Sequence, residues 1–83
     1  MTKVSVFVRI SVSDLEELSN TIQEITEKFK PIDIGTEEVG FGIKVIKAVF
    51  HIEEDEGSSI LEENLAGISN VENVDILEVD RLG

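Results

Sequence analysis

Lys3 to Val12 has a period of two, with the aliphatic Val4, Val6, Val8, Ile10 and Val12 on one side and Lys3, Ser5, Phe7, Arg9 and Ser11, polar but for Phe7, on the other. A period of two built from β-branched residues predicts a strand with one buried face. The period then changes. Leu15, Leu18, Ile22, Ile25 and Phe29 recur at helical spacing, with Glu16, Glu17, Gln23, Glu24 and Lys28 opposite them, which predicts an amphipathic helix. Ser13 with Glu16 three residues on has the form of a capping box and puts Ser13 at the N-cap. Lys28 and Lys30 suit the negative end of the helix dipole, and Pro31 stops the helix.

Ile32 to Val39 is a shorter strand, interrupted by Gly35 and suited to a sheet edge, where Pro31 at its start is tolerated. Val39-Gly40-Phe41-Gly42-Ile43 then places a large aromatic between two glycines. Such a segment can turn sharply, because glycine accepts positive φ without steric cost. Ile43 to Ile52 is a third strand, with Ile46, Ala48, Phe50 and Ile52 on one face and Val45, Lys47, Val49 and His51 on the other. An acidic turn, Glu53-Glu54-Asp55-Glu56-Gly57, leads to a second helix capped by Ser58 or Ser59 and carrying Leu61, Leu65 and Ile68. Val71 to Val79 is a fourth strand of irregular phase, since Leu77 and Val79 fall opposite Val74 and Ile76; Asp80-Arg81-Leu82-Gly83 is a tail. The order β-α-β-β-α-β predicts an α+β fold of the ferredoxin-like type: one domain over residues 1–83, with two helices on one face of an antiparallel sheet ordered 4-1-3-2. The other face carries Phe7, Arg9, Val45, Lys47, Val49 and His51.

With 83 residues the core is small, and such a chain buries roughly 60% of its unfolded surface. The absence of cysteine removes disulfides, thiolate nucleophiles and cysteine-based metal sites, and suits a cytoplasmic setting. Neither a secretory signal nor a membrane span is expected. Charge changes the picture more. Eighteen acids stand against seven bases, and residues 53–83 hold ten acids with Arg81 as their one base. This balance repels phosphate backbones and anionic lipid, which makes nucleic acid and membranes poor partners and a basic protein surface a better one. Acidity that only secures solubility explains the same composition.

Chemistry that makes or breaks bonds is hard to assemble from these residues. His51 is the single histidine, sits mid-strand and has no cysteine to work with. The acids of Glu53 to Glu56 are consecutive and lack the spacing of a calcium loop, so no metal is expected there. No phosphate-binding Gly-Lys-Ser/Thr loop is present, so no nucleotide or other cofactor is expected. An RNA-recognition domain would need several stacking aromatics and a basic face, and Phe7 is the only outward aromatic on the central strands. The remaining alternative is a regulatory domain that binds a small molecule or dimerises through Phe7, Val45 and Val49. On residues alone, Phe41 is either the margin of a core or a ring presented to a partner, and Arg81 is either a terminal residue paired with Glu78 or Asp80 or a functional cation.

The run Val39-Gly40-Phe41-Gly42-Ile43-Lys44, the strand and acidic turn after it, the Leu61-Glu62-Glu63 helix and the closing Val79-Asp80-Arg81-Leu82 resemble translation elongation factor 1-beta. That family comprises guanine-nucleotide exchange factors for the GTPase elongation factor 1-alpha, and the resemblance is to its short archaeal form. It extends over nearly the whole chain. The resemblance implies a monomer that is not an enzyme in the bond-making sense and that binds its partner in a GDP-bound or nucleotide-free form. It implies contacts from Gly40, Phe41, Gly42, Lys44, Arg81 and Leu82. The aromatic at the position of Phe41 packs into a pocket on the second domain of the GTPase. A basic residue at the position of Arg81 reaches the nucleotide domain and disturbs the switches and the magnesium site. Eukaryotic members carry lysine there, a proline frequent before the Gly-aromatic-Gly turn is replaced here by Thr36-Glu37-Glu38, and Gly83 stands where many relatives end on a larger apolar residue. The strand order independently separates Phe41 from Arg81, by on the order of 25 Å for strands of about eight residues.

Overall fold

The alternating N-terminal segment forms β1 (Lys3–Val12), which lies inside the sheet with a partner on each side. In this computed structural model residues 3–82 are described. β2 (Asp33–Gly40), β3 (Ile43–Glu53) and β4 (Val71–Leu82) complete a four-stranded sheet in the order β2-β3-β1-β4, every neighbouring pair antiparallel. With α1 (Leu18–Phe29) and α2 (Ser58–Ala66) the chain has the ferredoxin-like β-α-β-β-α-β arrangement and the expected strand order. Val6, Val8 and Ile10 of β1 and Ile46, Ala48 and Phe50 of β3 meet Ile25 of α1 and Leu61 and Leu65 of α2 in one core. Phe29 packs edge-on against Phe50, ring centroids 6.3 Å apart. Full burial of each such side chain contributes about 1.5–3 kcal/mol, so this single layer between helices and sheet carries the fold.

The helix ends differ from the sequence expectation. Asp14, not Ser13, is the cap: its Oδ1 accepts the Glu16 N–H at 3.0 Å, and the first turn, Leu15–Glu17, is a 3₁₀ turn that feeds α1. Ser13 is unavailable because its own N–H donates to the carbonyl of Asn70 at 2.9 Å, which keeps it with the sheet. Asn70, at φ 79°, fastens the two helix–strand junctions together. Its Oδ1 accepts from the Asp14 N–H at 2.7 Å, and its Nδ2 donates to the Asp14 carbonyl and to the Oγ1 of buried Thr21, both at 3.0 Å. α1 closes on Lys30 in the left-handed region, just before Pro31. α2 begins at Ser58 itself, with Gly57 at the N-cap position and no side-chain cap, so neither Ser58 nor Ser59 plays that role. The reason is the path of the chain: Gly57, at φ 78°, makes the corner between the acidic turn and the helix.

β4 explains the irregular phase seen in its sequence. Phe7 pairs with Glu78 and Val8 with Ile76, so Leu77 is an extra residue in a bulge. The bulge returns Val79, opposite Val6, to the face already held by Val74 and Ile76, rather than leaving it on the other one. It also fixes the facing of the strand's last residues. Asp80, Arg81 and Leu82 are not a tail: they pair in register with Ser5, Val4 and Lys3, and Arg81 is turned to the helix-bearing face. Gly83, the end of the expected tail, lies outside the described residues.

Candidate functional site

Two separate features hold the predicted contact residues. The first is the β2–β3 hairpin. Gly40 pairs with Ile43, which leaves Phe41 and Gly42 as a two-residue turn. Phe41 has φ 54° and Gly42 φ 75°, the positive pair that a type I′ turn requires, and Gly40 before them has φ 117°. Glycine is at ease in these conformations; phenylalanine is not, and a bulky side chain at positive φ is a backbone outlier. The Phe41 ring has no compensating contact, with a relative exposure of 105%. Of the two readings left open by the residues, the structure therefore has the ring presented and not tucked beneath the hairpin. Val39, an extra residue in the β2–β3 pairing, and Ile43 are also exposed, and Lys44 follows with no ion-pair partner among the described residues. Gly40, Phe41, Gly42 and Lys44 thus converge on one protruding apolar tip with a cation at its base.

The second feature is the far end of β4. Arg81 is level with Val4, while Ile43 starts β3 three residues beyond the pair Ile46–Ile10. At ~3.3 Å per residue the strand paths separate Arg81 from the hairpin by about 30 Å, somewhat more than short strands would give. Leu82, opposite Lys3, faces the other side of the sheet from Arg81. Arg81 is paired, but not with Glu78 or Asp80: its Nη2 donates to Oε1 of Glu54 in the acidic turn after β3. Glu54 was not singled out by sequence. The signal was present, since Arg81 is the one base in a segment with ten acids.

That acidic turn is itself organised. The Glu56 N–H donates to the Glu53 carbonyl at 3.0 Å, and Oε1 of Glu56 accepts the Glu53 N–H at 3.2 Å, which closes the turn on its own side chain. Glu53 also approaches Lys3 at 4.0 Å. Among the described residues no group of three or more acids or histidines is arranged to hold a metal ion.

The helix-free face of the sheet is largely covered by its own charges. Lys47 lies over the Phe7 ring, 5.7 Å from its centroid, and reaches Glu37; Arg9 meets Asp75 at 3.6 Å. Val45 is buried although it faces this side. Of the three residues expected to drive dimerisation, Val45 is thus buried and Phe7 and Val49 are partly covered. A cleft of about 260 Å³ between α1, α2 and β3 is lined by Phe29, Phe50, Leu61 and Asn64, with Lys28 at its rim held by Glu24 at 2.9 Å. No helix is long and apolar enough to cross a membrane among the described residues.

The sequence matches the family model described as the EF-1 guanine nucleotide exchange domain over residues 1–82. No curated protein matches it. Among solved structures it is similar to the solution NMR structure of the ACT domain from GTP pyrophosphokinase of Chlorobium tepidum, with a TM-score of 0.69 and 19% identity, over 92% of this chain and 88% of that one. At that identity the likeness is one of fold.

Proposed function

Because the chain belongs to the EF-1 guanine nucleotide exchange domain family, we propose that it accelerates GDP release from the GTPase elongation factor 1-alpha by gripping two domains of that protein at once. The observation that carries this reading is the Phe41 ring, fully exposed on a turn whose backbone is strained to hold it out. Strain of this kind persists where the surroundings impose it and gathers at binding sites. A free-standing aromatic also loses little conformational freedom on docking, so it suits a partner's pocket as an anchor.

Arg81 is the second grip. A guanidinium brought to the nucleotide domain competes with magnesium for the phosphates and for the switch residues that the metal holds, which loosens GDP. The roughly 30 Å between the grips is too long for one small pocket and suits two domains. No bond is made or broken on this chain, so the roles are binding and displacement, and a monomer provides both. The experiment is release of a fluorescent GDP analogue from an archaeal elongation factor 1-alpha with substoichiometric amounts of this protein. Acceleration with turnover is expected; release at the spontaneous rate would refute the reading.

A further inference from the structure

We infer that Glu54 is a positioning residue for Arg81, holding the guanidinium inward over the sheet so that its remaining N–H groups meet an anionic group of the GTPase. The inference rests on the exchange reading above and assigns it a residue that makes no contact with the nucleotide.

Arg81 lies on the edge strand β4 and Glu54 follows the end of β3, with β1 between them. The ion pair therefore spans two inter-strand spacings, about 10 Å, so the arginine lies across the sheet instead of projecting from its edge. Two independent features produce this arrangement. The bulge at Leu77 turns Arg81 to the helix-bearing face, and the Glu53–Glu56 clasp fixes the turn from which Glu54 reaches over. Glu56 is committed to that clasp and Glu53 lies against Lys3, which leaves Glu54 and Asp55, and of these Glu54 is the acid that meets Arg81.

The pair has little to offer stability. Both side chains are exposed, at 68% and 43%, and exposed pairs contribute little. What it supplies is order. A long, rotamer-rich side chain that is already placed loses less freedom when the partner arrives. Only Nη2 meets Glu54, which leaves most of the five N–H donors of a guanidinium for a second anion. A planar fork can serve two anions along different edges, which a compact ammonium does less well.

GDP release is measured for the native chain, Glu54→Gln, Arg81→Ala and the double variant, over a range of exchange-factor concentrations. Glu54→Gln is expected to lower the maximal rate about two- to tenfold with an unchanged half-saturating concentration and melting temperature. It has no further effect in the Arg81→Ala background. ¹⁵N relaxation at Arg81 Nε shows the side chain more mobile in Glu54→Gln while the backbone is unaltered. An unchanged or faster rate in Glu54→Gln, or an equal loss in the Arg81→Ala background, overturns the inference. If the native chain releases no GDP, the exchange reading falls and takes this one with it. If Arg81→Ala is slow while Glu54→Gln runs at full speed, the role of Glu54 falls alone.

Discussion

Phe41 and Arg81 stand at opposite ends of one sheet, the first on the β2–β3 hairpin and the second level with Val4 at the far end of β4. They share no contact and no intermediate loop, so their contributions to a two-point grip should be separable. Phe41→Ala is expected to weaken binding to the GTPase by about 2 kcal/mol, as loss of an anchoring aromatic does, with the maximal release rate nearly preserved. Arg81→Ala is expected to lower the maximal rate with a smaller change in affinity. For sites this far apart the two free-energy losses should add to within about 0.5 kcal/mol. Strong non-additivity in the double variant would show that the two ends act as one site.

The conformation of Phe41 predicts opposite effects on stability and binding. At φ 54°, with the ring fully exposed, the side chain gives the isolated fold no packing and imposes backbone strain. Phe41→Gly removes the strain and is expected to leave the melting temperature unchanged or a few degrees higher, since αL costs a non-glycine residue about 1 kcal/mol. GDP-release activity should fall as far as in Phe41→Ala. A large loss of stability in Phe41→Gly would mean that the ring is part of the fold's support.

Much of the fold was legible because it rests on local periodicity. The alternation of β1 and the helical spacing of Leu18, Ile22, Ile25 and Phe29 each point to one buried face, and the core lies where those faces meet. What escaped the sequence depends on partners distant along the chain. Asn70 carries no signal of its own, yet a residue 56 positions away decides that Asp14 and not Ser13 caps the first helix. The bulge at Leu77 shows in the sequence only as a phase error, and it took the pairing with β1 to turn that error into the placement of Arg81. The hairpin tip was located by its two glycines, but exposure of the ring between them is a property of the folded surface.

Asn70 should be among the most sensitive polar positions. Asn70→Ala removes the acceptor for the Asp14 N–H and the donors to the Asp14 carbonyl and the Thr21 hydroxyl, and puts alanine at φ 79°. Loss of this set is expected to cost about 2–3 kcal/mol, a fall in melting temperature on the order of 10–20 °C for a domain of this size. Asn70→Gly separates the two causes, because it relieves the dihedral and not the missing bonds. It should remain clearly destabilised by thermal melting; recovery to the native temperature would assign the role to backbone conformation alone.

The uneven charge bears on encounter with the partner. Ten of the eighteen acids lie in residues 53–83, and Glu62 and Glu63 are exposed on α2, neither of them ion-paired with Arg81 or Lys44. If this surface steers the chain toward a basic region of the GTPase, the association rate should fall about tenfold between low salt and 0.5 M salt, with the dissociation rate little altered, because screening acts on approach more than on the closed contact. Glu62→Gln with Glu63→Gln should reduce the association rate and its salt dependence together, without touching the maximal GDP-release rate. Stopped-flow binding resolves these quantities. An association rate that is flat or rises with salt would leave the acidity to solubility, since repulsion or neutrality at the encounter surface is then what the salt relieves or ignores.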